Sequence, residues 1–135
     1  MSPKVLVVDD DRSALFALSQ VLGELPVRLV FATSGEDALR QVLKTEFAAI
    51  LLDVRLPNMD GFEVAAAIRS LERTRRTPII FMSANEDRRK QPRASTHEER
   101  YFRKPLAPEL VRSTVASYLR PPAVDLPPAE LQNRL

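Results

Sequence analysis

Short apolar runs alternate along this chain with longer stretches in which apolar side chains return every three or four positions. Runs of the first kind suit strands buried on both faces, and spacing of the second kind suits amphipathic helices. Lys4-Val5-Leu6-Val7-Val8 predicts a first strand. From Ser13 onward Leu15, Leu18, Leu22 and Leu25 predict a helix, behind an acidic front that the helix dipole favours. Val27 to Ala32 is expected as a second strand, and Thr33-Ser34-Gly35 opens a helix whose buried stripe is Ala38, Leu39, Val42 and Leu43. Phe47 to Asp53 predicts the third strand. Asp60 and Glu63 then form a capping box, and Phe62, Ala65, Ile68 and Leu71 mark one face of the third helix. Pro78 to Ser83 is the fourth strand and Tyr101 to Arg103 a short fifth. Pro108 suits the first turn of a last helix with the stripe Leu110, Val111, Thr114, Val115, Tyr118 and Leu119.

One interval breaks the rhythm. Between Asn85 and Arg100 the chain carries Glu86, Asp87, Arg88, Arg89, Lys90, Arg93, Glu98 and Glu99, with Pro92 inside and Ala94 as its one apolar residue. A helix there would bury almost nothing to offset its ordering entropy, so a degenerate or mobile fourth helix is expected at 85–100. Pro121, Pro122, Pro127 and Pro128 end regular structure, which leaves a domain at 1–120 and a proline-rich tail or linker at 121–135.

Composition narrows the class. With 135 residues, 44% of them apolar, the chain suits one globular domain and has no room for a second. A net charge of +2 argues only weakly for nucleic acid, so Arg73 to Arg76 and Arg88 to Lys90 read as solvated loops. No winged or helix-turn-helix segment follows them. There is no cysteine, no charged-then-apolar leader and no apolar run near the ~20 residues of a membrane span, so the cytoplasm is the expected compartment.

Strands alternating with helices through short connections imply a parallel sheet with helices on both faces. The carboxyl ends of its strands then share one edge, where ligands of such sheets bind. That edge receives Asp9, Asp10, Asp53, Ser83 and Lys104. Three clustered carboxylates repel one another unless a cation joins them, and an all-oxygen set with room for water suits Mg²⁺. With Lys104 beside it, such a site would draw a phosphoryl group and stabilise its transfer to a carboxylate nucleophile. Asp60 caps the helix that follows Asp53, so Asp53 itself is left for chemistry.

On these residues the chain, over about 4 to 120, resembles a two-component response-regulator receiver domain, the family of the chemotaxis regulators. The resemblance implies a flavodoxin-like, doubly wound five-stranded α/β sheet in the order 2-1-3-4-5. By it Asp53 would be the phosphoacceptor, Asp9 and Asp10 the acidic pair for Mg²⁺, and Arg55 the donor of a backbone carbonyl to the metal. Ser83 and Lys104 would bind the phosphoryl group, the Lys104–Pro105 peptide would be cis, and Tyr101 would be an aromatic switch that turns inward when Ser83 is drawn to the phosphate. Arg55 and Asn85, two positions after Asp53 and Ser83, flank the path of an attacking water and are expected to tune hydrolysis. The partners implied are a sensor histidine kinase or phosphotransfer protein and a downstream protein, with homodimerisation open and neither nucleic acid nor membrane involved. The domain would phosphorylate itself without turning over an external substrate.

Plainer readings stand beside each of these. Asp11 is expected to cap the first helix, Ser83 could bond backbone, Tyr101 could simply pack, and His97 lies in a charged stretch without metal-ligand spacing. Receivers usually carry an amphipathic fourth helix and a glycine turn before the fifth strand, and this chain has neither. A pseudo-receiver that binds partners without phosphorylation is therefore an alternative. A phosphatase of the haloacid dehalogenase type is another, since Asp9-Asp10-Asp11-Arg12-Ser13 resembles its Asp-x-Asp-x-Thr signature. Only Glu109, Asp125 and Glu130 supply acids after Lys104, none as a strand-end pair, which disfavours it. No Gly-x-Gly-x-x-Gly is present for a dinucleotide.

Overall fold

The computed structural model describes residues 2–84 and 99–119. Its apolar runs form β1 (Lys4–Val8), β2 (Arg28–Ala32), β3 (Ala49–Asp53) and β4 (Ile79–Ser83), and the mixed segment Glu99–Arg103 forms β5. Among them lie α1 (Arg12–Leu22), α2 (Gly35–Lys44), α3 (Gly61–Arg69) and α4 (Pro108–Tyr118), with a 3-10 turn at Glu72–Thr74. All strand pairs are parallel and the order is β2-β1-β3-β4-β5, the doubly wound arrangement expected.

Period-two alternation divides the strand residues between two cores. Leu6, Val8, Ile50, Leu52, Ile79 and Phe81 face one way and meet Ala38 and Val42 of α2 and Val64, Ala65 and Ile68 of α3. Val5, Val7, Ala49, Leu51, Ile80 and Met82 face the other way and meet Leu15, Leu18 and Leu22 of α1 and Val111 and Val115 of α4. β3 and β4 are buried along their whole length, and a strand covered on both sides can afford no polar residue until its end.

The starts of α1, α2 and α3 follow their capping residues, whereas α4 opens on Pro108 without a side-chain cap. The Asp11 carboxylate accepts from the Ser13 N–H, Ser34 Oγ accepts from the Asp37 N–H, and Asp60 and Glu63 exchange both bonds of the capping box. The end of α2 is held from a distance. Arg73 Nη2 donates to Val42 O at 2.6 Å and Leu43 O at 3.1 Å, so this arginine closes helix carbonyls and is no mere solvated loop residue.

Some boundaries and stripes need correction. Leu43 and Leu110, expected in buried stripes, are 64% and 52% exposed, because each lies at the flank of its helix's apolar arc. β5 begins at Glu99, two residues earlier than expected, with Glu99 and Arg100 paired to Ile79 and Ile80. It is an edge strand of the described sheet, where charged side chains are accommodated. Apart from Glu99 and Arg100, the expected fourth helix falls outside the described residues, as do Asn85, His97, the Arg88 to Lys90 run and the tail at 121–135. No helix among the described residues is long and apolar enough to cross a membrane.

Candidate functional site

At the carboxyl edge of the sheet the strand ends converge as the alternation requires. Asp9 follows β1, Asp53 ends β3, Ser83 ends β4 and Lys104 follows β5. The ladder continues past the strands into the site. Val54 N–H donates to Met82 O at 2.9 Å, and Lys104 N–H donates to Ser83 O at 2.8 Å, so neighbouring segments leave the sheet in register. The Lys104–Pro105 peptide is cis, as the resemblance implied.

Lys104 is the hub. Its Nζ donates to Asp9 Oδ2 at 3.1 Å and to Asp53 Oδ2 at 3.2 Å. The other carboxylate oxygens are held by backbone: Asp9 Oδ1 accepts from the Asp11 N–H at 3.0 Å, and Asp53 Oδ1 from the Arg55 N–H at 3.3 Å. Asp9 and Asp53 are buried, at 1% and 5% exposure, whereas Asp10 opens to solvent. Carboxylate oxygens of Asp9, Asp10 and Asp53 lie within 4.8 Å of one another. These acids, Arg55, Asp60 and Lys104 border an open cleft of about 560 Å³.

Burial first, and then the charge of Asp9, push the Asp53 carboxyl up from the ordinary 3.8 to about 6, against the pull of Lys104 and the Arg55 N–H. Burial disfavours the Lys104 ammonium, yet Asp53 and Asp9 outweigh it and hold its pKa above the ordinary lysine value. Three acids therefore face one ammonium. An all-oxygen donor set of three clustered acids at this spacing fits a hard divalent cation.

Ser83 and Tyr101 stand one step away. They border a smaller cavity of about 140 Å³ with Phe102 and Arg103. Ser83 Oγ is buried and has no hydrogen-bond partner among the described residues, so its hydroxyl is not spent on backbone. The Tyr101 ring stacks on Phe81 with centroids 4.9 Å apart. Two participants escaped the sequence reading: the Asp11 N–H that holds Asp9, and the aromatic neighbours Phe62 and Phe81 of Tyr101. An Asp-x-Asp turn signal could have found the first. Nothing local signals the second, because the three rings come from α3, β4 and β5.

Comparison with known proteins adds family information. The family model of the response regulator receiver domain matches residues 5–116. The alkaline phosphatase synthesis transcriptional regulatory protein PhoP of Bacillus subtilis is 31% identical over 134 residues, which is 98% of this chain and 55% of that protein. The transcriptional regulatory protein SrrA of Staphylococcus aureus is 31% identical over 121 residues, 89% of this chain and 49% of its own length. The chain thus spans about half the length of these curated relatives. Among solved structures, the receiver domain of a sensor histidine kinase from Pseudomonas aeruginosa PAO1 superimposes with a TM-score of 0.79 at 28% identity, covering 88% of this chain and 98% of that one. That crystal structure has a magnesium ion coordinated in its active-site cleft.

Proposed function

The chain belongs to the response-regulator receiver family, and from that premise we propose that Asp53 takes a phosphoryl group from the phosphohistidine of a sensor kinase or phosphotransfer protein. One Asp53 carboxylate oxygen attacks phosphorus, the P–N bond breaks, and its electron pair leaves with the imidazole. Asp9, Asp10 and Asp53, with the Arg55 backbone carbonyl, would hold Mg²⁺. When bound, the ion neutralises charge on the phosphoryl oxygens.

This chain's own groups do the rest. Lys104 already donates to an acceptor oxygen at 3.2 Å, which supports its role as the ammonium that meets a phosphoryl oxygen. The buried hydroxyl of Ser83, unspent among the described residues, supports its role as a second donor to that group. Tyr101, sharing a cavity with Ser83, is the ring whose orientation reports the change. Arg55, beside the cleft, tunes hydrolysis of the acyl phosphate by acting on the approach of water, and Asn85 is assigned the same task from its sequence position. Unchanged phosphoryl lifetimes in Arg55→Ala and Asn85→Ala would remove both from that role.

Receiver domains are regulatory phosphoacceptors, and this one is read as working without turnover of an external substrate, in the cytoplasm, through a downstream protein partner or a second copy. Nothing in the site calls for nucleic acid. The observation that carries the proposal is the bridging of Asp9 and Asp53 by Lys104 with Asp10 at ligand distance. Intact mass after incubation with Mg²⁺ and acetyl phosphate tests it. The expected result is a single phosphoryl adduct that needs Mg²⁺ and is absent in Asp53→Asn. Steady phosphate release without adduct would instead indicate a phosphatase, and neither product a phosphorylation-independent module.

A further inference from the structure

Three aromatic rings from three elements meet beside the site. Tyr101 of β5 lies nearly parallel to Phe81 of β4, with centroids 4.9 Å apart and planes 14° apart. Phe62 of α3 leans on both, 5.0 Å from Phe81 and 6.4 Å from Tyr101. Phe81 is fully buried, while Phe62 and Tyr101 are half-buried at the margin of the same core. Aromatic pairs favour particular offsets and tilts, so moving one ring of a triad changes the best place for the others.

Phe62 is also joined to the acceptor loop. The residue before it, Gly61, donates its N–H to Val54 O at 2.7 Å, and Val54 is the residue after Asp53. Gly61 lies so close to this segment that any Cβ would collide with the backbone of Asp53 and Val54. The start of α3 therefore cannot stay still if the chain just after Asp53 shifts. Phe81, locked in a buried strand, cannot follow. Tyr101, half-buried on an edge strand of the described sheet, is the ring with room to adjust.

We propose that Phe62 is a positioning residue that couples the acceptor loop to the orientation of Tyr101, by a route through α3 that is separate from Ser83. The inference rests on the reading of Asp53 as acceptor and Tyr101 as switch. It makes Tyr101 respond to two inputs: a hydroxyl withdrawn on the β4 side and a ring displaced on the α3 side.

The test uses the full chain carrying Tyr118→Phe, which leaves Tyr101 as the single tyrosine of the two present. Ring-labelled tyrosine then reports by NMR the contact of Tyr101 with Phe81, before and after Mg²⁺ and acetyl phosphate, while intact mass counts the adduct. In Phe62→Leu the adduct is expected to form as in wild type, but the inward-to-outward ratio of Tyr101 falls about two- to tenfold, the range an aromatic pair supplies. Phe62→Trp, which keeps a ring, restores the wild-type ratio. In Ser83→Ala part of the Tyr101 response to the adduct persists, and adding Phe62→Leu removes it. A wild-type response in Phe62→Leu, equal loss in Phe62→Leu and Phe62→Trp, or complete loss in Ser83→Ala alone would each overturn the proposal. No adduct in the parent chain would overturn the acceptor reading instead, and with it this inference.

Discussion

Replacing Asp53 with Asn removes a carboxyl that the fold holds against its own ionisation. Burial and Asp9 raise that group from 3.8 to about 6. The folded state thus binds its proton more tightly than the unfolded chain does, and the group's contribution to stability falls as pH rises between those two values. The cost is absent well below the unfolded pKa and reaches about 3 kcal/mol above the folded one, at about 1.4 kcal/mol per unit. Between about pH 4.5 and about pH 7.5 it grows by about 2 kcal/mol, since the first part is already incurred at the lower pH. Asp53→Asn escapes this cost. The pull of Lys104 on the ionised carboxylate develops over the same interval but is already contained in the value of about 6. The slope with pH therefore carries the information, whereas the absolute gap also holds the pH-independent difference between an amide and a protonated carboxyl at this position. Urea denaturation of both proteins in EDTA, followed by far-UV circular dichroism at a series of pH values, measures that slope. The advantage of Asp53→Asn is expected to grow by about 2 kcal/mol towards the higher pH. A gap that is constant, or that shrinks as pH rises, refutes the account of how the site holds this carboxyl. Adding Mg²⁺ at the upper pH should then narrow the gap, because an ion that binds only the native state stabilises the wild type by mass action.

Four other substitutions probe the surroundings. Lys104→Met leaves Asp9 and Asp53 facing each other without their bridging cation, and should lower stability in EDTA by roughly 1–3 kcal/mol at neutral pH, with Mg²⁺ recovering most of it in the same urea assay. Gly61→Ala drives a methyl into the backbone of Asp53 and Val54. Thermal melting should show a loss of roughly 2 kcal/mol, and adduct formation should slow, whereas Ala66→Gly on the exposed face of α3 should cost only about 1 kcal/mol and leave the adduct rate alone. Arg73→Ala uncaps the carbonyls of Val42 and Leu43 and should cost about 1 kcal/mol in urea, with faster amide exchange confined to the end of α2; exchange unchanged there would show the cap to be idle.

What the sequence made legible was whatever depends on local pattern. Asp9, Asp53 and Ser83 could be gathered at one edge because each terminates an apolar run, and a run buried on both faces has one way to end; Lys104 joined them as the residue after the short fifth strand. The capping box of Asp60 and Glu63 was legible for the same reason, both partners lying within four residues. Leu43 and Leu110 were misplaced because a helical repeat defines an arc and not its margins, and both lie where the arc meets solvent. Glu99 and Arg100 looked unlike a strand because burial was the cue, and an edge strand needs less of it. Arg73 was unreadable in principle. Its partners are 31 and 30 residues away, and a guanidinium that closes a distant helix leaves no local mark.

The division of the interior into two cores has an evolutionary consequence. Every side chain of β1, β3 and β4 that enters one core is absent from the other, with the sheet backbone as the only partition between them. Substitutions on opposite sides share no partner, so their effects should add and neither side should constrain the drift of the other. The α1 and α4 side can therefore be recombined from one lineage with the α2 and α3 side of another, as a mosaic. At the carboxyl edge of the described sheet, where both sides end, the two histories must agree.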